Sequence, residues 1–250
     1  MNSYQGSRGV VLITGASAGL GEEMARQFAA LGYDLALCAR RVDRLEALRA
    51  ELTGSRVSVK ALDVTDDEAV FTVFREFAAE FGRIDRVVVN AGLGKGAPLG
   101  TGRPDANRDT ARVNFLGALS QAEAACEIFR AQHRGHLVII SSMSALRGMR
   151  RSMTTYAATK AGVAALAEGL RSERIPGVDV SVIYPGYIRS EMNAHVQQKT
   201  RFMVDTATGV RSMVAAIEKR RPKAYVPAWP WAPLSVAMRV LPLSLVRRLT

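Results

Sequence analysis

The stretch GVVLITGASAGLG, Gly9 to Gly21, decides the fold. Its first half is a short unbroken apolar run, the mark of a strand buried on both faces. Its second half is rich in small residues and leads directly into GLGEEMARQFAALG, where Leu20, Met24, Phe28 and Leu31 share a helical stripe and Gly32 supplies a stop. A buried strand that turns tightly into an amphipathic helix is the first unit of a parallel sheet covered by helices. Outward from it the alternation repeats. DLALCARR, RVSVKALDV, RVVVNAG, HLVIISS and DVSVIYPG read as five further strands. Between them lie helices carrying Leu45, Leu48 and Leu52; then Val70, Val73, Phe74, Phe77 and Phe81 from about Asp66; then Val113 and Leu116 toward Phe129; and finally residues 154–173. This order predicts right-handed crossovers and one Rossmann-like, doubly wound parallel α/β sheet with helices on both faces.

The bulk numbers agree with one large domain. The chain has 250 residues, 48% of them hydrophobic and few aromatic, which is enough for a single full core. We read residues 1–250 as one domain, with residues 223–250 as an apolar, basic tail. Cys38 and Cys126 lie in apolar surroundings, so they read as buried hydrophobes in a reducing compartment. The beginning MNSYQGSRG has no signal-like apolar core, and the expected location is cytoplasmic. A net charge of +11 raises nucleic acid as a partner, but no basic-aromatic stripe or binding motif supports it.

Ligands of such a sheet bind beyond the carboxyl ends of its strands. Every strand here ends in a distinctive sequence: TGASAGLG, ARR, DV, NAG, SS and PGYIRS. Gly15, Gly19 and Gly21 suit a turn where backbone approaches a pyrophosphate at a helix N-terminus. Their spacing, GxxxGxG, differs from the commoner GxGxxG. Strand two ends in Ala39, Arg40 and Arg41 with no carboxylate. Arginine there accommodates a 2′-phosphate, whereas an acidic residue binds a 2′-hydroxyl, so NADP(H) is favoured over NAD(H). The competing view is that both arginines are solvated residues at the start of the next helix. Asp63 is placed to accept from an adenine amino group, while Thr65 and Asp66 are better placed to cap the helix that follows. Asn90, Ala91 and Gly92 form a turn that permits close backbone approach, or simply a turn.

Tyr156 and Lys160, in TTYAATKAG, are four residues apart and share a helix face. A phenol has a pKa near 10. Lowering it by roughly three units requires about 4 kcal/mol of preference for the phenolate, and a nearby ammonium supplies part of that. With TGASAGLG, Asp63-Val64, NAG, Asn114 in RVNFLGAL, IISS, YAATK and PGYIRSEM in this order, residues 9 to about 195 resemble the short-chain dehydrogenase/reductase family. The resemblance implies an oxidoreductase that interconverts alcohols and carbonyls with NAD(P), and no metal. It implies Tyr156 as general acid/base, Lys160 as the residue that lowers its pKa and holds the nicotinamide ribose, Asn114 as the anchor of a relay water, and a serine after strand five on the substrate oxygen. It further places Gly15, Ser17, Gly19, Leu20, Gly21, Arg40, Arg41, Asp63, Val64, Asn90, Ala91, Gly92, Tyr156 and Lys160 around the cofactor, with Pro185, Gly186, Ile188 and Ser190 toward the nicotinamide. A homodimer or homotetramer is the common assembly of such proteins.

Three positions depart from the pattern. Many members carry the serine thirteen residues before the tyrosine, where this chain has Met143; Ser142 and Ser144 lie on either side. The IISS context favours Ser142, with the extra residue taken up in RRSMTT. Ala18 stands where NADP-preferring members often have a basic residue, and Ser190 replaces the common threonine. In the tail, Trp229, Trp231 and Leu234 read as a cover over the substrate pocket or a subunit contact. The alternative is an interfacial membrane segment with Arg239, Arg247 and Arg248 toward anionic lipid. An apolar tail near the site suggests a hydrophobic carbonyl substrate. Two rival functions fit these residues less well. A non-catalytic NADP(H)-sensing module needs no Asn–Ser–Tyr–Lys set, and an epimerase or dehydratase usually has a different glycine spacing and a longer C-terminal region.

Overall fold

A computed structural model describes residues 7–94, 96–193 and 202–249; the side chains of residues 193 and 247–249 lie outside that description, and with them those of Arg247 and Arg248. Seven strands form one parallel sheet in the order β3-β2-β1-β4-β5-β6-β7. They are β1 Val10–Thr14, β2 Asp34–Ala39, β3 Val57–Ala61, β4 Arg86–Val89, β5 Gly135–Ile140, β6 Val178–Pro185 and β7 Lys223–Val226. The helices that matter below are α1 Gly19–Ala30, α2 Val42–Glu51, α3 Asp67–Phe81, α4 Pro104–Ala111, α5 Gly117–Ala131, α6 Met153–Ser172, α7 Thr206–Glu218, α8 Ala228–Val240 and α9 Leu243–Leu249.

The strands send alternate residues to two cores, as their pleat requires. Val11, Ile13, Leu35, Leu37, Val88, Val138 and Ile183 pack with α1, α2 and α7 through Met24, Phe28, Leu45, Val210 and Met213. Leu12, Val87, Val89, Leu137, Ile139 and Val182 pack with α3, α5 and α6 through Phe74, Phe77, Phe129 and Val163. The four central strands β1, β2, β4 and β5 are buried along their whole length, which is why they read as continuous apolar runs. Gly32, at φ +84°, follows α1, and the Asp66 carboxylate caps α3 by accepting from Ala69 N.

The sheet extends one strand beyond the six read from sequence. Lys223–Val226 pairs with Val182–Pro185, so residues 223–226 are sheet edge and the tail proper starts at Ala228. Leu31 caps α1 and is partly exposed instead of joining its buried stripe. The single helix expected through Val113 and Leu116 is three pieces in series: α4, a π-helical turn Arg112–Leu116, and α5. Among the described residues, no helix is long and apolar enough to cross a membrane. The strand order reverses between β1 and β4, so the carboxyl ends of these strands open a crevice.

Candidate active site

The glycine turn after β1 is shaped first by its own chain. Gly15 has φ +64°, and a Cβ there would lie 2.9 Å from Ala91 Cα. A Cβ on Gly21 would lie 2.4 Å from the Gly15 carbonyl oxygen. The NAG turn is stitched to this loop. Asn90 Nδ2 donates to Thr14 O at 2.9 Å, and Thr14 Oγ1 accepts from the backbone N–H groups of Asn90 and Ala91 at 3.0 and 3.1 Å. Thr14, fully buried, thus holds the two strand ends together. It stands in the TGASAGLG motif, but its role depends on contacts that no local pattern displays.

Gly19 is different: with φ +57°, its closest neighbour for an added Cβ is Ser190 Cβ at 3.4 Å. It opens on a cleft of about 420 Å³, lined also by Glu22, Arg26, Arg189, Ser190 and Thr206. Ala18 gives α1 no side-chain cap, which leaves the first helical N–H groups suited to an anion. A dinucleotide's pyrophosphate fits this loop chemically. Leu20 packs partly buried against the α1-side core.

At the end of β2, Arg41 Nε donates to Ser17 Oγ at 3.3 Å, bringing two of the predicted residues together over the glycine turn. Arg40 points elsewhere, 3.9 Å from Asp63, and both are well exposed. Asp63 accepts from Thr65 N and Thr65 Oγ1 at 3.0 and 2.8 Å. Partial burial raises its pKa, but the hydrogen bonds from Thr65, with Arg40 nearby, draw it below the ordinary value. Val64 is buried, with its carbonyl against Gly117 of α5.

The reactive residues converge beyond β4 and β5. Asn114 sits in the π-helical turn, a feature frequent at functional sites. Its amide clamps Leu93 from both sides: Oδ1 accepts from Leu93 N at 2.6 Å and Nδ2 donates to Leu93 O at 2.8 Å. Lys160, 6% exposed, donates from Nζ to Ile140 O at 2.9 Å and lies 6.0 Å from the Tyr156 ring centre. Asn114 and Lys160 flank Gly92, whose added Cβ would lie 3.3 Å from Asn114 Oδ1 and 3.5 Å from Lys160 Nζ. Burial draws the lysine pKa down to about 8. Burial also raises that of Tyr156, against a hydrogen bond with the Ser142 side chain that lowers it. In this chain by itself, desolvation therefore outweighs the Ser142 side chain, and Lys160 is not among the groups that shift the phenol.

Of Ser142 and Ser144, it is the Ser142 side chain that draws the Tyr156 pKa down. Its Oγ also accepts from Ser144 N at 3.1 Å, and Ser144 is buried beneath it. Ser141 Oγ donates to Lys160 O at 2.7 Å, which fastens α6 to the end of β5. Thr159, another residue that the sequence reading passed over, donates to Tyr156 O at 2.8 Å and accepts from Asn114 Nδ2 at 3.4 Å. The segment RRSMTT contains Arg151 at φ +59°, just ahead of α6.

After β6, Gly186 N donates to Val226 O at 2.9 Å, and the Trp231 indole occupies the space that a Cβ on Gly186 would need. Pro185 ends β6 in register with Val226. Ile188 is turned into the core against Gly209 of α7, away from any open face. Trp231 is buried, with the rings of Tyr187 and Phe202 at 5.5 and 6.4 Å. Met192 covers Gly94.

A glycine turn at a parallel-sheet switch point, with a Ser–Tyr–Lys cluster two strands away, defines a dinucleotide-type oxidoreductase site. The short chain dehydrogenase family model matches residues 9–201, and the chain belongs to that family. An uncharacterized oxidoreductase of Mycobacterium tuberculosis is 52% identical over 247 residues, 97% of either chain. An alcohol dehydrogenase of Thermococcus sibiricus, complexed with 5-hydroxy-NADP, superimposes with a TM-score of 0.77 at 29% identity, over 87% of this chain and 94% of that one. A Burkholderia phymatum family member in complex with NAD shares the fold, with a TM-score of 0.81 at 22% identity over 98% and 96% of the two chains. The protein is an oxidoreductase of the short-chain dehydrogenase/reductase family.

Proposed function

We propose that this oxidoreductase interconverts a hydrophobic ketone or aldehyde and its alcohol with NADP(H), using Tyr156 as general acid/base. The observation that carries the reading is the cluster itself: a phenol whose pKa the Ser142 side chain lowers, with the buried Lys160 ammonium over the same ring. The cofactor, when bound, supplies or accepts the hydride and, oxidised, adds a positive charge beside the phenol. In the reducing direction Ser142 Oγ–H donates to the substrate oxygen and orients it toward Tyr156. Tyr156 then gives its proton to the oxygen as negative charge develops there. Lys160 offsets the phenolate charge left behind, in a desolvated site where that Coulombic attraction is strong. Asn114 keeps the Leu93 backbone and Gly92 beside Lys160, and Ser141 fixes the lysine's own backbone.

The NADP(H) preference rests on Arg40 and Arg41, with Ser17 at hydrogen-bonding distance from Arg41 and no carboxylate at the end of β2. The hydrophobic substrate class rests on the exposed Tyr187 and Phe202 beside the buried Trp231, and on the exposed Met192 over Gly94. A reducing, cytoplasmic setting suits the free buried cysteines, and the family resemblance is what supports a homodimer or homotetramer. The test follows NADPH oxidation with aliphatic, aromatic, steroid and long-chain keto compounds, then compares Michaelis constants for NADPH and NADH. Turnover of an apolar carbonyl with the lower constant for NADPH is expected. A preference for NADH would overturn the cofactor assignment, and turnover of small polar carbonyls alone would overturn the substrate class.

A further inference from the structure

Glu191 follows the predicted nicotinamide-side residue Ser190 and has no part in the mechanism above. Its carboxylate nevertheless reaches across to the predicted 2′-phosphate end. Arg41 Nη1 donates to Oε1 at 3.2 Å and Arg41 Nη2 donates to Oε2 at 3.0 Å, a two-pronged pair, and Arg44 Nη1 donates to Oε1 at 3.3 Å. The same Arg41 holds Ser17 through Nε. The hydrogen bonds from Arg41 hold the Glu191 carboxyl below its ordinary range, so it is ionised at neutral pH. A planar guanidinium binds carboxylate and phosphate through the same fork of N–H donors. The turn after β2 therefore presents its arginines already engaged by an anion of the chain itself.

Resting on the NADP(H) reading above, we infer that Glu191 is an internal occupant of the 2′-phosphate subsite, competing with that phosphate for Arg41 and Arg44 and so setting the preference between NADP(H) and NAD(H). A phosphomonoester carries about −1.5 to −2 charges at neutral pH against one for a carboxylate, so it displaces Glu191 when presented. A cofactor with a bare 2′-hydroxyl leaves the clasp closed. Glu191 lies between Ser190, which touches Gly19, and Met192, which covers Gly94. Opening the clasp at the adenosine end thus frees a short segment that borders both the glycine turn and Gly94, two residues past the NAG turn.

The experiment measures calorimetric binding of adenosine 2′,5′-bisphosphate and of 5′-AMP to the full chain and to Glu191→Gln. All the partners are substantially exposed, so the gain is modest. Bisphosphate binding tightens about two- to five-fold in the variant, the scale of an exposed ion pair, while AMP binding is unchanged. An unchanged ratio in a protein that prefers the bisphosphate overturns the inference and leaves the NADP(H) reading standing. Weaker bisphosphate binding in the variant also overturns it, since Glu191 would then be organising the arginines. A native chain with no preference that gains one in Glu191→Gln supports the clasp and defeats the NADP(H) reading. Absence of preference in both proteins defeats both.

Discussion

Among the described residues, one cation is buried at each end of the sheet, and the two are treated in opposite ways. At the amino end, Arg86 is 5% exposed and closes a network across three strands and α7. Its Nη1 donates to Glu218 Oε1 at 2.6 Å and its Nε donates to His136 Nδ1 at 3.1 Å. Because Nδ1 accepts, the neutral imidazole carries its proton on Nε2, which donates to Ser181 Oγ at 2.8 Å. Tyr33 donates to Glu218 as well. At the carboxyl end, Lys160 is as deeply buried, yet among the described residues no carboxylate pairs with it. It has a carbonyl and an aromatic ring for company, and its pKa falls to about 8. A buried cation with its countercharge and a full set of hydrogen bonds belongs to the architecture. One held without a countercharge keeps its charge available for a reacting group.

Substitutions can break this contrast from either side. The largest effect is expected at Tyr156. Tyr156→Phe keeps the ring and its packing but loses the proton, so turnover falls by about 10²- to 10⁴-fold. Cofactor affinity, read by fluorescence titration, stays near the native value. Substantial residual turnover would remove Tyr156 from its proposed role and revive the non-catalytic reading. At the other end, Arg86→Leu leaves Glu218 without its buried partner and His136 without its donor. Glu218 keeps Tyr33 and the exposed Arg8, so the fold should lose about 1–3 kcal/mol, the cost of leaving a buried hydrogen-bonding group short of a partner. Thermal unfolding reads the loss, and kcat of the folded fraction should be unchanged.

Ser142→Ala sharpens the site itself. It should raise the barrier by roughly 2–4 kcal/mol, the scale of a lost donor to a developing oxyanion. Ser144→Ala should change kcat little, and the reverse result would exchange the two serines. The last effect is a pH slope, small per unit of pH. Burial, followed by Arg86 and Arg220, pushes the His136 pKa from 6.5 down to about 3. The fold thus favours the neutral ring. That contribution is fully present above pH 6.5 and is lost as pH falls from 6.5 toward 3, by at most about 1.4 kcal/mol per pH unit. Denaturant titrations along this range should show the decline, and His136→Gln should flatten it.

Most of the fold was legible because burial on both faces leaves a strand no choice but an apolar run, as in Val10–Thr14 and Gly135–Ile140. The missed strand, Lys223–Val226, is four residues long and lies at the sheet edge, where only one neighbour and alternate burial are required. Its charge and the following prolines made it read as tail. The π-helical turn at Asn114 was invisible for a related reason. Local sequence gives a helical period, while the extra residue in the turn is stabilised by the clamp on Leu93, twenty-one residues away.

By itself, then, the sequence determined the chain of strands and helices, the edge on which ligands bind, and the candidates Tyr156 and Lys160, because these follow from periodicity, glycine placement and helical spacing. Tertiary structure decided what spacing cannot carry. It packed Ser144 N onto Ser142 Oγ, used Thr14 and Thr159 as ties, turned Ile188 into the core, and laid Glu191 across Arg41. Each of these depends on which distant backbone a side chain meets, and that is fixed only when the sheet brings its strand ends together.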